Sequence, residues 1–445
     1  AIVWLGLAPG FIHFCRPPQS RPALPMMALS GLFYAVFFGA PAFLAHFLIG
    51  SGAAHDDPRI AFYAYSYVKE VSAEAQLLVI AAMVLMFGIW TVFERVFATK
   101  LPRFRLPSAS DGALQIAAWI LALANLAYLG VDGIARIPSI GQFLKPAGYV
   151  AFAAFYLLRS SGRLPRWQAW PYFFGVLPAW IATQAATGFL SATLLLVMLW
   201  LALRFYTKHV LPWRSGLVLV LLFILIYPSL AAFRFEFWYA NPNSSLGERI
   251  VGIGKVIATN AFNWDKALSN DTQRYVGLIR RVALILPFSH VVETTPAEVP
   301  YWQGNTYRTL FTGWIPRALW PGKPEERWGN EFGRRYGILA PEEREMSINL
   351  PWITEMYANF GRTGVIVGMA LCGLFLGFLN RFLNAPGAGA GEVAIAAGLL
   401  FPLFYQESNF TVMTGTLIPQ IVCFWIFFAV IFRLAAPTGA GTRPQ

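Results

Sequence analysis

The sequence predicts an all-α polytopic membrane protein of about eleven transmembrane helices with one large folded external loop. Three observations predict it. Of 445 residues, 57% are hydrophobic and only 13% charged, where a soluble domain carries about 25% charged residues. Many segments reach the roughly 20 apolar residues that cross a bilayer. The basic excess also sits in short segments between those runs. Residues 236–361 hold 13 Lys/Arg and 13 Asp/Glu, and the remainder holds 21 and 9. The formal +12 is therefore a topology signal, and nucleic acid is set aside as a partner.

Apolar spans are expected near 1–14, 25–50, 73–97, 112–132, 141–158, 167–187, 188–205, 214–235, 362–383, 392–406 and 411–434. The first run has no basic segment before it and is not read as a cleaved signal peptide. The sixth and seventh runs meet at Thr187-Gly188 and read as a tight hairpin. Arg16 and Arg21 follow the first span, Arg95 to Arg105 the third, Arg159 to Arg166 the fifth, and Arg204 to Arg214 the seventh. The alternate loops are acidic or nearly neutral, with Asp56, Asp57, Glu70 and Glu74 in one of them. Basic loops mark the cytoplasmic side. The chain then divides into eight spans over 1–235, an external loop over 236–361, three spans over 362–434 and a cytoplasmic tail over 435–445.

The large loop keeps seven tryptophans, among them Trp302, Trp314, Trp320 and Trp328, which a disordered linker rarely does. "SSLGERIVGIGKVIATN" opens with a capping box from Ser245 to Glu248 and continues with helix-spaced Ile250, Ile253 and Ile257. "NDTQRYVGLIRRVALIL" predicts a helix capped by Asn270 or Asp271. Residues 324–336 predict a short helix opening on Glu325 and Glu326, which suits the helix dipole. The loop reads as a cap of short helices on the external face.

Walker A, GxGxxG, HExxH and GxSxG patterns are absent, so neither a nucleotide nor a metal is implied. Cys15, Cys372 and Cys423 have no CxxC partners and read as core residues. His290 is the loop's one histidine, and an isolated histidine is more often structural than catalytic. Arg274 and Arg281 lie seven apart on one predicted helix face, with Arg280 turned aside. Together with Arg308, Arg317, Arg334 and Arg335 they offer forked donors for phosphate. Snorkelling to lipid headgroups is the alternative. Glu355, in "ITEMYANFG", sits where the loop re-enters the membrane, as either a base or an ion-pair partner. Asp56 and Asp57 are a further carboxylate pair, or an ordinary turn.

"IPRALWPGKP" at 315–324, "GNEFGRRYG" at 329–337 and "EMYANFGRTGV" at 355–365 resemble the oligosaccharide repeat-unit polymerases of bacterial inner membranes. These O-antigen and exopolysaccharide polymerases are related to O-antigen ligases and to other membrane glycosyltransferases of the multi-span (GT-C-like) architecture. The resemblance implies a donor and an acceptor that are both undecaprenyl-pyrophosphate-linked glycans, a periplasmic loop, no cofactor, and a separate chain-length-regulating co-polymerase. The related ligases carry a histidine late in the loop, and this chain has none after His290. On this reading Arg317, Arg281, Arg335, Arg334 and Arg274 bind pyrophosphate. Glu355, then His290, then Asp56 are the candidate bases, and Trp320, Trp328 and Tyr336 stack on sugar. A lipid-linked glycan transporter and a polyprenyl-phosphate-sugar glycosyltransferase are the competing classes.

Overall fold

The computed structural model describes residues 1–51, 68–97, 100–241, 243–262, 282–315, 317, 319–323 and 326–435. They are 74% helical and contain no strand. Among the described residues, six helices are long and apolar enough to cross a membrane: Met26–Phe47, Ala73–Phe97, Asp111–Gly130, Ser191–Lys208, Trp352–Leu383 and Phe410–Leu434. Ile2–Cys15 and Ala390–Leu399 are apolar but shorter. The run expected at 167–187 is helical but interrupted by a π-helical turn at Tyr172–Val176.

Apolar periodicity decides which faces meet. Ala73–Phe97 lies along Trp352–Leu383, Asp111–Gly130 along Gly141–Ser160, and Gly141–Ser160 along Ala390–Leu399. Small residues let backbones approach closely where hydrophobic driving force is weak. Ile2–Cys15 and Met26–Tyr34 cross at Gly6 and Gly31, where a Cβ on either would run into the other's carbonyl. Polar side chains pair across the helices at the basic end of the bundle. Glu94 accepts from Trp90 Nε1 (2.9 Å) and Asn380 Nδ2 (2.7 Å), and Asn384 bonds both the N–H and the carbonyl of Leu24. Cys372 is buried as expected, whereas Cys15 and Cys423 are exposed on helix faces rather than in the core.

The basic loops gather at one end of the bundle. There Arg16 meets Glu94 (3.4 Å), Arg163 meets Asp111 (2.8 Å), and Phe104 N–H bonds the Phe382 carbonyl (2.9 Å). The large loop covers the other end, where Arg362 pairs with Glu74 (2.6 Å). Within the loop the capping box forms: Ser245 N–H donates to Glu248 Oε2 (2.7 Å), and Ser245 Oγ accepts from Glu248 N–H (3.3 Å). The Leu246–Phe262 helix buries Ile253 against Phe233 and Phe237. Of the helix expected at 324–336, residues 324 and 325 lie outside the described residues; the helix runs Trp328–Arg335, so Glu326 precedes it rather than opening it. Its first turn is fixed by close packing of Gly329 on Ser347 and Ile348. The helix expected from Asn270 lies largely outside the described residues.

Candidate functional site

The loop returns to the bundle at Pro351, which starts a helix of wholly buried residues from Trp352 to Asn359. That helix breaks at Gly361 (φ 63°, ψ −147°), a conformation essentially confined to glycine. A straight helix would separate residues 356 and 368 by about 18 Å. Here a Cβ on Gly368 would press on the Met356 side chain, and one on Gly364 would strike the Met356 carbonyl. Residues 352–360 therefore fold back along the helix that continues from 362. Trp302 and Gln303 N–H groups satisfy the carbonyls of Ala358 and Asn359 (3.0 and 3.2 Å) at the end of this half-helix.

The fold-back carries Glu355 into the protein, where it is fully buried. Its Oε2 accepts from Phe410 N–H at 2.7 Å, at the start of Phe410–Thr414. Its Oε1 has no hydrogen bond of good geometry, although the Thr306 side chain stands beside the carboxylate. Asn359 Nδ2 donates to the Glu355 carbonyl (2.8 Å) and to Thr306 Oγ1 (2.9 Å), which leaves the Thr306 proton to point elsewhere. Tyr307 stacks on Phe360 (6.4 Å, 9°). Burial first, then the neighbouring Glu355 and Cys372, push its phenol far above the usual range, so it stays a neutral donor.

The described residues of "IPRALWPGKP" (315, 317 and 319–323) form a knot beside this site. Lys323 Nζ donates to the carbonyls of Gly313 (2.9 Å) and Ile315 (3.1 Å), straddling Trp314. Arg317 NH1 donates to the Lys323 carbonyl (2.7 Å), and Arg317 N–H donates to Ser139 Oγ (2.7 Å). Burial holds the Lys323 ammonium below its ordinary value; Glu326 pulls it up and Arg317 pulls it down. Gly313 packs on Gly415, where a Cβ would come within 3.1 Å of backbone.

A second group braces the loop. His290 donates from Nε2 to the Tyr336 carbonyl (3.0 Å), which leaves Nδ1 as the open acceptor. The Tyr336 hydroxyl pairs with Thr295 Oγ1 (2.8 Å), and its ring is buried. Arg335 lies over Trp302 (5.5 Å) and donates to the Pro300 carbonyl (2.7 Å). Arg334 pairs with Glu331 (2.6 Å) and Asn330. Trp328 packs on Trp302 with ring centroids 5.9 Å apart. Of the three sugar-stacking candidates, Trp320 is the exposed one. Asp56, Arg274 and Arg281 lie outside the described residues. Sequence reasoning did not single out Thr306, Tyr307 or Asn359. The one signal for them is their density of hydroxyl and amide groups flanking "GN" and "NFG".

From this site an apolar crevice of about 1020 Å³ runs down between the helix that continues from 362 and residues 410–422. Tyr307, Leu310 and Trp314 form its rim, and Val367, Leu371 and Phe378 its long wall. Among the described residues no group of three or more His, Cys, Asp or Glu is placed to hold a metal ion.

Residues 42–436, which contain the whole of this site and the crevice, match the family model described as a domain of unknown function, DUF8712. The chain belongs to the DUF8712 family. No curated protein and no solved structure matches it. The match leaves out Ile2–Cys15 and Met26–Tyr34, and the crevice and the fold-back both lie inside it.

Proposed function

We propose that this protein is a membrane glycosyltransferase that polymerises undecaprenyl-pyrophosphate-linked repeat units. It would do so at the periplasmic face of a bacterial inner membrane, through an eleven-span, GT-C-like bundle. The observation that carries this reading is the meeting, at one end of the bundle, of a cationic loop knot, a buried carboxylate and an apolar crevice. A lipid-borne donor needs all three: cations for its pyrophosphate, a proton acceptor, and a place for its tail.

In the reaction an acceptor hydroxyl attacks the donor's anomeric carbon. The C–O bond to pyrophosphate breaks, and the lipid pyrophosphate leaves with the bonding pair. Arg317 stabilises the charge that builds there, with Arg281, Arg335, Arg334 and Arg274 as further candidates. The hydroxyl proton passes to Glu355 through Oε1, the oxygen not engaged by Phe410. His290, with Nδ1 open, and Asp56 stand behind it. Trp320 supplies an exposed ring for a sugar face.

The test is purified protein given lipid-linked repeat units. Arg317→Ala should cost about 100-fold or more in polymerisation rate; a rate equal to wild type for both Arg317→Ala and Arg281→Ala removes the anion-site assignment. Transport of a lipid-linked glycan is the second reading, favoured by the crevice crossing the bundle. Its apolar lining is costly for a polar head group to traverse. Substrate crossing reconstituted vesicles with no new glycosidic bond would decide for transport.

A further inference from the structure

We propose that Arg103 and Arg381 together hold the phosphate of an anionic phospholipid headgroup at the basic end of the bundle. The site lies at the opposite end from Glu355 and does not depend on the polymerase reading. Arg381 stands in the last turn of Trp352–Leu383. Its Nε is enclosed by protein, and among the described residues the side chain makes no hydrogen bond or ion pair. Its strongest charged neighbour is another arginine, Arg103, ahead of Glu94. Arg103 likewise makes no hydrogen bond or ion pair among the described residues.

The fold fixes this pairing. Phe104 N–H donates to the Phe382 carbonyl (2.9 Å), and the two rings meet edge to face (5.8 Å, 73°). Arg103 and Arg381 each precede one member of that pair by a single residue. The segment beyond is tied as well: Leu106 N–H donates to Glu392 Oε1 (3.1 Å), and Trp425 Nε1 to the Arg105 carbonyl (3.1 Å). Two like charges are thus clamped at set backbone positions, and their repulsion grows where protein lowers the local dielectric. Glu94 is already engaged by Arg16, Trp90 and Asn380, and Arg21 is turned to the carbonyls of Phe14 and Arg16. A phosphate supplies what is missing, because two guanidinium forks can share one phosphodiester and its charge offsets their repulsion. Its source is a lipid because the pair stands where a spanning helix ends, at headgroup depth. Phe378, three residues before Arg381 on the same helix face, is 39% exposed and gives the start of an acyl chain an apolar surface.

The experiment uses the full chain in nanodiscs of mixed phosphatidylglycerol and phosphatidylcholine, and native mass spectrometry counts the lipid retained. Wild type should retain phosphatidylglycerol on the order of twentyfold better than phosphatidylcholine. Arg103→Gln and Arg381→Gln should each cut that preference about fivefold, the worth of one cation at a membrane surface. Arg163→Gln removes the same charge from the same end, but from an existing pair with Asp111, and should leave the preference intact. Equal retention of the two lipids, or an equal loss in Arg163→Gln, overturns the site. In phosphatidylcholine alone, Arg103→Gln should melt no lower than wild type, because it relieves a repulsion. A lower melting temperature there would make Arg103 a structural residue and overturn the site as well. The exposed position of Arg103 keeps the test standing if Arg381→Gln fails to fold. Displacement of phosphatidylglycerol by inorganic phosphate would identify a soluble anion and overturn the lipid.

Discussion

Glu355 has two oxygens with different duties, so its two simplest replacements should behave differently. Glu355→Gln keeps an oxygen for Phe410 N–H but no longer accepts a proton. It should fold normally and lose about 10²–10⁴ in turnover. Glu355→Ala leaves a buried N–H unpaired and should cost about 1–3 kcal/mol of stability, read as a lower melting temperature. Wild-type turnover in Glu355→Gln would pass the base role to His290. Tyr336→Phe removes the bond to Thr295 and should cost about 1 kcal/mol, leaving the His290 contact to the main chain in place. The charges of "GNEFGRRYG" were readable as charges only. Their partners, Glu331 three residues back and the Pro300 carbonyl thirty-five residues away, depend on the folded loop, so a brace and an anion site look alike in sequence. Glu355 stood out because a carboxylate between apolar residues is costly wherever it lies.

The helices were the most legible features, because apolar runs and capping residues are local. The expected 73–97 span is the Ala73–Phe97 helix, and the Ser245 capping box closes as its spacing implies. Ser245 N–H, then its hydroxyl, hold the Glu248 carboxyl below its usual 4.5. The box's contribution is therefore complete above about pH 4.5 and is lost as pH falls through the lower folded value. Hydrogen exchange in the first turn of Leu246–Phe262 should quicken over that acidic window and not above it. Glu248→Gln should remove the pH dependence, whereas Ser245→Ala, which keeps the N–H contact to Glu248, should only reduce it. The reversal at Gly361 was not legible. "NFG" marked a boundary between loop and span, but periodicity carries no information about the angle between successive helices. Gly361→Ala should cost about 1–3 kcal/mol, because the backbone sits in glycine territory and the Tyr301 hydroxyl lies 2.6 Å from the new Cβ.

Across the molecule, the basic loops lie at one end and the large loop at the other. A cysteine at exposed Gly162 and one at exposed Glu345 should each react with an impermeant thiol reagent from opposite sides of a sealed vesicle; labelling of both from one side would undo the orientation. This polarity was readable because charge placement directs insertion. The crevice was not, because its walls come from helices joined only through the 384–409 connection, and neither wall alone is concave.

The fold-back also sets an order of events during synthesis. Glu355 emerges from the ribosome well before its partner, the Phe410 amide, 55 residues later. Chains are made N-terminus first, so the half-helix cannot seat its carboxylate until the last span begins to arrive. Until then the nascent protein carries an acid whose partner amide has not yet been made. A chain stopped at residue 408 should be degraded faster than one stopped at 435, and Glu355→Gln should narrow the difference.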